Sequence, residues 1–221
     1  MRPAAGDAAA EAVGFVLAGG RSSRMGEDKA LVLFNGRPLV ERALAILRQA
    51  GLAAFIAGAR SPLEAFAPVV EDAEPGLGPL GGVCAALTST TARRAVFLPV
   101  DLPLMPASLI SLLLDHTAIT GRLVTVPSVH GFTQTFPAVV DRAALPALRK
   151  ELEAGHGGCY SGFQAATASL GEPISVIAVE LAVQSGQLAH PDGLPAARWF
   201  LNVNVPTDLR RAVAHRRALI A

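Results

Sequence analysis

The sequence predicts a doubly wound α/β fold, in which helices cover both faces of a mostly parallel sheet. Short apolar runs typical of buried strands alternate with amphipathic helical patterns through the first half of the chain. Three of these runs, ending at Leu17, Val70 and Val100, reach a Gly or Asp within two residues. Ligands of such sheets bind beyond the carboxyl ends of the strands, where these residues lie. The 221 residues suffice for one substantial core.

The first half shows the clearest alternation of strands and helices. Its predicted elements are a strand at 12–19, a turn at 35–36, a helix at 37–51, strands at 53–58 and 67–72, a helix at 80–90, a strand that runs into an Asp-Leu-Pro turn at 94–106, and a helix at 107–117. In the helix at 37–51, Pro38 suits the first helical position and Gly51 suits the stop. "NG" at 35–36 is a turn dipeptide.

The second half is less regular. Its predicted elements are strands at 122–128 and 133–140, a helix at 142–155, a strand at 172–180, and a turn into a terminal helix at 201–220. Pro137 indicates an edge strand or a bulge, because proline cannot donate to a sheet ladder. We predict a flexible leader at 1–12, which carries Asp7 and Glu11 and has no continuous apolar run, and a single domain at 13–221.

Composition and charge exclude several classes of function. The net charge of +1 does not suit a protein that binds duplex DNA, which usually shows a basic excess. Although 51% of the residues are hydrophobic, no stretch of about 18 apolar residues is free of polar interruption, so we predict no membrane span. Cys84 and Cys159 lie far apart with no paired spacing, which predicts reduced thiols and a cytoplasmic protein.

The segment "LAGGRSSRMGEDK" (17–29) turns from an apolar run into glycines and cations. It lacks the G-x-G-x-x-G spacing of dinucleotide-binding sites and the Gly-Lys of the Walker motif. Gly19 and Gly20 allow backbone N–H groups to approach a phosphate closely, while Arg24 offers a bidentate grip and Lys29 a point charge. The alternative interpretation is a plain glycine turn with solvated basic side chains.

The order of residues in this segment is more specific than its general chemistry. Leu17-Ala18-Gly19-Gly20, followed by Arg24-Met25-Gly26-x-Asp28-Lys29, resembles the signature of nucleotidyltransferases related to molybdenum cofactor guanylyltransferase. Further motifs follow in the order of that family: "FNGRPLVERAL" (34–44), "ED" (71–72), "GPLGG" (78–82), "DLPLMP" (101–106) and "NVNVPTDL" (202–209). On these motifs, which span residues 14–209, the chain is identified as a member.

The resemblance implies a Rossmann-like three-layer α/β/α nucleotidyltransferase fold. Enzymes of this family transfer a nucleoside monophosphate from an NTP to a phosphate of molybdopterin and release pyrophosphate. The implied partners are therefore GTP or CTP, molybdopterin, and maturation proteins of molybdoenzymes. Within the single domain, residues 13–117 would form the NTP-binding half and residues 118–221 the acceptor-binding half.

The resemblance also implies site residues. The implied nucleotide-binding set is Leu17, Ala18, Gly19, Gly20, Lys29, Asp72, Gly78, Pro79, Leu80 and Asp101. Arg24, Lys29 and Asp101 would be catalytic, and Asp101 and Asn204 would bind the cofactor Mg²⁺. A carboxylate at a strand end suits Mg²⁺, and phosphoryl-type transfer needs positioning and charge stabilisation more than a protein nucleophile. Each acidic residue has a plainer interpretation, since Asp101 precedes a Leu-Pro turn and Asp72 ends a strand.

The chain departs from the family pattern in four places. "IAGAR" (56–60) lacks the asparagine expected near the purine and retains only Arg60, which leaves GTP and CTP both open as donors. Gln134 is retained without its proline. At 155–164 His156 stands where the family has two arginines, which leaves another phosphorylated acceptor open. Residues 178–200 form an insertion predicted to pack or to form a surface loop.

A catalytically lapsed member that binds nucleotide or assists a partner enzyme is the distant alternative. The joint presence of Arg24, Lys29 and Asp101 argues against it.

Overall fold

The computed structural model describes residues 11–18, 28–58, 61–71 and 78–203. The strands in these ranges are β1 (Ala12–Leu17), β2 (Leu33–Phe34), β3 (Arg37–Pro38), β4 (Ala53–Ala57), β5 (Val69–Val70), β6 (Arg94–Pro99), β7 (Val124–Val129), β8 (Phe132–Thr133), β9 (Ala138–Asp141) and β10 (Ser175–Ala178). The α-helices are α1 (Leu39–Gln49), α2 (Gly78–Thr88), α3 (Ala107–Thr120), α4 (Leu145–Glu153), α5 (Cys159–Ser169), α6 (Val179–Gln184) and α7 (Ala196–Trp199).

The main sheet has the strand order β10-β7-β9-β6-β1-β4-β5, and β8 pairs with β7. Strand β1 lies between β4 and β6 and pairs in parallel with both. Strand β9 runs antiparallel to its neighbours β6 and β7, and β2 and β3 form a separate ribbon. The prediction of a mostly parallel sheet is therefore confirmed, with β9 and β8 as the antiparallel elements.

Two apolar cores flank the sheet, which confirms the three-layer architecture. Side chains alternate across a strand, so Val16 of β1 joins the core that covers α1 and α3. Its neighbour Phe15 joins the opposite core, beneath α2, α4 and α5. There the Phe15 ring lies 5.6 Å from that of Phe55 and 5.7 Å from that of Phe97, so adjacent strands are locked by aromatic contacts.

Two features of the second half differ from the predicted elements. Residues 159–169 form helix α5, where no element was predicted. Gly162 lies inside this helix. A Cβ at this position would come within 2.7 Å of Leu80 Cδ2, so a glycine here allows the helix to pack closely against Leu80. The run at 172–180 is a strand only over Ser175–Ala178 and then continues as α6.

Pro137 directly precedes β9, which is an interior strand, so the expectation of an edge strand is wrong. The proline lies just before the sheet ladder rather than within it, and its missing N–H therefore costs no ladder bond. Residues 178–200 contain α6 and α7, and Leu188, Leu194 and Trp199 are buried, so of the two expectations for this insertion packing is the one observed.

The two cysteines are free and buried on the same side of the sheet. Burial, with a smaller contribution from Cys84, raises the pKa of the Cys159 thiol from 9.0 to about 12. Because the thiolate is the nucleophilic form, Cys159 is not a nucleophile at neutral pH.

The cytoplasmic location stays a prediction.

No helix within the described ranges combines the length and the apolar character needed to cross a bilayer.

Candidate active site

The carboxyl ends of three parallel strands meet at one edge of the sheet. The N–H of Val100, just beyond β6, donates to the carbonyl of Leu17 at 3.1 Å. The N–H of Ala18, just beyond β1, donates to the carbonyl of Ala57 at 3.0 Å. These bonds extend the ladder past the strands, so the residues that follow β1 and β6 leave the sheet side by side.

Asp101 and Lys29 form an ion pair at this edge. Lys29 Nζ donates to Asp101 Oδ2 at 2.7 Å, although 72 residues separate them. Their side chains are only 20% and 21% exposed, so the pair is partly shielded from water. Two residues that the sequence proposed as catalytic are thus in direct contact.

A short capped turn sets the position of Lys29. The Asp28 carboxylate accepts from the N–H of Ala30 at 3.0 Å and caps the 3₁₀ turn Lys29–Leu31. Ala30 is fully buried, and the N–H of Leu39 donates to the carbonyl of Val32. The turn is therefore anchored to the start of α1, which places the lysine stem over the sheet edge.

The loop that carries Asp101, residues 101–106, is held by donors from distant parts of the chain. The N–H of Val203 donates to the carbonyl of Asp101 at 3.0 Å. Arg42 Nη2 donates to the carbonyl of Pro103 at 3.1 Å, and its guanidinium lies 4.7 Å from the ring centroid of Phe34. Phe34 and Arg42 belong to the "FNGRPLVERAL" motif, so this motif supports the Asp101 loop.

The sequence assigned no role to Arg42. Its one detectable signal is its place between buried residues of a helix, since Leu39, Val40 and Ala43 are all buried. A cation among buried residues needs a hydrogen-bond acceptor close to it.

The start of α2 is packed against the loop between α4 and α5. Gly78 has φ +74°, and a Cβ there would lie 2.9 Å from the carbonyl oxygen of Gly157. The N–H of Leu80 donates to the same oxygen at 3.2 Å, and the Leu80 side chain is fully buried. Gly78 and Pro79 are exposed at the helix start. The start of α2 thus contacts the second half of the chain through this backbone.

Replacing Gly78 with alanine is expected to destabilise the protein. The left-handed conformation costs a non-glycine residue about 1–2 kcal/mol, and the new Cβ meets backbone that cannot move cheaply. We expect the midpoint of thermal unfolding to fall by several degrees. Gly82→Ala on the same helix is the matched control, because nothing lies within 4 Å of its Cβ position. Equal midpoints for the two variants would contradict this role of Gly78.

Two polar residues of the acceptor-binding half have local partners. His156 Nδ1 lies 2.9 Å from Glu151 Oε2, and the histidine side chain is 62% exposed. Gln134 Nε2 donates to the carbonyl of Phe132 at 3.1 Å. His156 immediately precedes Gly157, so it lies beside the contact with α2.

Several residues proposed from the sequence lie outside the described ranges. They are Gly19, Gly20, Arg24, Arg60, Asp72 and Asn204. Their described neighbours Ala18, Lys29 and Val203 lie at or beside the strand edge, as the hydrogen bonds above show. Their roles stay predictions.

A comparison with protein families identifies the chain. The sequence model of the MobA-like NTP transferase domain matches residues 14–169, which is more than half of the chain. This chain belongs to the MobA-like NTP transferase family. The family match includes Lys29, Asp101 and the start of α2.

Related proteins agree with this family. A probable molybdenum cofactor guanylyltransferase of Haloferax mediterranei is 32% identical over 92% of this chain and 93% of its own length. A molybdenum cofactor guanylyltransferase of Xanthomonas euvesicatoria is 47% identical, but that match spans about half of each chain, 46% and 52%. A crystal structure of molybdopterin-guanine dinucleotide biosynthesis protein A from Archaeoglobus fulgidus has a TM-score of 0.72 at 20% identity. It covers 94% of this chain and 99% of that one, which shows the shared fold.

The donor chemistry at Asp101 fits the Mg²⁺ that the family resemblance implies. Lys29 occupies Oδ2, and within the described residues no donor reaches Oδ1. Mg²⁺ is usually held by one or two carboxylates together with substrate phosphates and water. In the part of the chain that the structure describes, no three His, Cys, Asp or Glu residues form a metal cluster, and Asn204 lies outside that part.

Proposed function

We propose that this MobA-like NTP transferase transfers GMP from GTP to a phosphate of molybdopterin and releases pyrophosphate. The observation that carries the proposal is the Lys29–Asp101 ion pair at the carboxyl edge of the parallel strands. It places a cation beside a carboxylate where a doubly wound sheet binds its ligand. The names of the relatives support molybdopterin as the acceptor and guanine as the base.

The reaction forms one phosphorus–oxygen bond and breaks another. An oxygen of the acceptor phosphate attacks the α-phosphorus of the NTP, and the bond to the β-phosphate oxygen breaks. Pyrophosphate leaves with the bonding electron pair. Such a transfer is catalysed mainly by orientation and by stabilising the charge that develops.

The residues of the chain supply that stabilisation. The Lys29 ammonium lies 2.7 Å from Asp101 Oδ2 at the strand ends, where it would donate to oxygens of the leaving pyrophosphate. Asp101 would supply a carboxylate oxygen to the metal, and Asn204 would be the second protein ligand. When bound there, Mg²⁺ neutralises triphosphate charge as a Lewis acid.

The acceptor is proposed to bind where the two halves meet. The 155–158 loop contacts the start of α2 through Gly157, so an acceptor lying along this loop would reach the nucleotide. His156, paired with Glu151, is the candidate contact for the acceptor phosphate in place of the two arginines of the family. Maturation proteins of molybdoenzymes are the proposed recipients of the product.

CTP is the second candidate donor. Strand β4 ends in Ile56 and Ala57, both buried, and Gly58 follows, so these described positions carry no side-chain amide with which to read a purine edge. A smaller pyrimidine would need fewer such contacts.

Pyrophosphate release with single nucleotides tests the proposal. The full chain is incubated with molybdopterin, Mg²⁺ and each labelled NTP in turn, and we expect release with GTP. Release with CTP alone would overturn the choice of base, whereas release with none of the four would overturn the enzymatic function. Omission of molybdopterin is the control, because it should abolish release if molybdopterin is the acceptor.

A further inference from the structure

Residues 188–200, here called the 188–200 segment, pack against the loop that carries Asp101. The segment lies beyond residues 14–169, the stretch that the family model matches. Four of its side chains are buried in one core with the apolar side chains of the Asp101 loop. These are Leu188, Leu194, Ala196 and Trp199 from the segment, and Leu102, Leu104 and Met105 from the loop. The segment is thus part of the support for the site.

Trp199 is the apolar anchor of this segment. Its side chain is 1% exposed, and its indole Nε1 donates to the carbonyl of Leu194 at 2.8 Å. Its ring centroid lies 6.0 Å from that of His190, so the indole and the imidazole are packed against each other. The buried tryptophan therefore helps to fix the position of His190 beside the loop.

Both ring nitrogens of His190 are hydrogen-bonded, and one of them joins the segment to the loop. Its Nε2 lies 3.1 Å from the carbonyl oxygen of Leu104, and its Nδ1 accepts from the N–H of Asp192 at 3.0 Å. A carbonyl oxygen only accepts and a backbone N–H only donates, so Nε2 carries the hydrogen and Nδ1 the lone pair. The contact to Asp192 is local, whereas the contact to Leu104 spans 86 residues.

Leu104 is three residues from Asp101, and its carbonyl is one of three held by distant donors. The other two are the carbonyls of Asp101 and Pro103, which accept from Val203 and Arg42. Next to the loop, Ser108 Oγ at the start of α3 donates to the carbonyl of Ala189 at 3.1 Å, which is a further contact of the segment. A short loop held at three carbonyls has little freedom to reorient the carboxylate it carries.

We propose that His190 is a positioning residue for nucleotidyl transfer, because its Nε2–H holds the Leu104 carbonyl and thereby orients the Asp101 carboxylate. The expected effect of His190 on the reaction rate rests on the proposed function. Its effect on the loop is independent of any activity.

Two amide substitutions separate the two contacts of His190. Glutamine places an amide N–H near the position of Nε2 and can keep the bond to Leu104. Asparagine places an amide oxygen near the position of Nδ1 and can keep only the local bond to Asp192. We therefore expect His190→Gln to behave like the wild type and His190→Asn to behave like His190→Ala.

The first measurement is backbone amide exchange of residues 99–106, followed by mass spectrometry without nucleotide. The amides of Val100, Leu102 and Met105 are hydrogen-bonded in the wild type and report on the loop. We expect faster exchange in His190→Asn and His190→Ala, and wild-type exchange in His190→Gln. His116→Ala is the matched control, since His116 is bonded to Ser175 Oγ far along α3 from the loop.

The second measurement is pyrophosphate release with kcat and KM determined separately. Loss of one part-buried hydrogen bond predicts about a tenfold fall in kcat for His190→Asn, with KM for the NTP changed by less than about threefold. His190→Gln should restore kcat to within about threefold of the wild type. If the wild type releases no pyrophosphate, the proposed function fails, and the exchange data still decide whether His190 holds the loop.

Either of two results would overturn the proposal. One is rescue by asparagine but not by glutamine, which would make the local turn the purpose of His190. The other is unchanged exchange of residues 99–106 in all three variants. If His190→Asn fails to fold, Ser108→Ala decides, because it removes an exposed contact of the same segment. It should raise exchange of residues 99–106, and unchanged exchange in that variant would count against the proposal.

Discussion

Asp101→Asn is expected to lower kcat/KM for nucleotidyl transfer by on the order of a hundredfold or more. Asparagine keeps the size of the side chain and one oxygen, but it removes the negative charge that pairs with Lys29 and that would bind Mg²⁺. Both effects act on the charge that develops as pyrophosphate leaves. The measurement is the rate of pyrophosphate release with GTP and molybdopterin.

The expected loss is catalytic rather than structural. The Asp101 side chain is 21% exposed, and the asparagine that replaces it keeps an oxygen that can accept from the Lys29 ammonium. The thermal midpoint of Asp101→Asn should therefore stay near that of the wild type. Asp115→Asn, an exposed carboxylate on α3, is the matched control and should keep full activity. A kcat/KM within a few-fold of the wild type for Asp101→Asn would refute the assignment of this carboxylate.

Lys29→Met is the second large effect. Methionine keeps much of the apolar stem but removes the ammonium, and hydrogen bonds to charged groups contribute about 1.5–3 kcal/mol. The corresponding fall in kcat/KM is about tenfold to a hundredfold. Lys29→Arg should recover part of this loss, since it restores the charge with a different donor geometry.

Lys150→Met is the control for loss of one positive charge, because Lys150 is exposed at the end of α4. It should have wild-type kinetics at the same ionic strength. The same activity in Lys29→Met and Lys150→Met would show that Lys29 does not act on the leaving group.

The architecture of the first half could be predicted because local patterns and tertiary structure agree there. The run before Leu17 is buried on both faces of the sheet, and α1 has an apolar stripe between Pro38 and Gly51. The second half could not be predicted as well. Helix α5 contains Gly162, whose purpose is a close approach to Leu80 from another part of the chain, and no local pattern shows that partner.

The family resemblance implied that Lys29 and Asp101 belong to one site, and their direct contact in the structure agrees with it. The side chains that support the Asp101 loop could not be predicted from the sequence. Arg42 and His190 each bond to a single backbone carbonyl of that loop, and a carbonyl is the same in every residue. Sequence patterns identify side chains that do chemistry more readily than side chains that hold the backbone beneath them.

The most direct measurement is a crystal structure of the full chain with GTP and Mg²⁺. The account predicts a triphosphate at the carboxyl edge of β1 and β6, a metal ion on Asp101, and Lys29 in contact with phosphate oxygens. The guanine should lie toward β4 and the start of α2. A nucleotide bound elsewhere on the molecule, or one at this edge with Asp101 and Lys29 still paired only with each other, would contradict it.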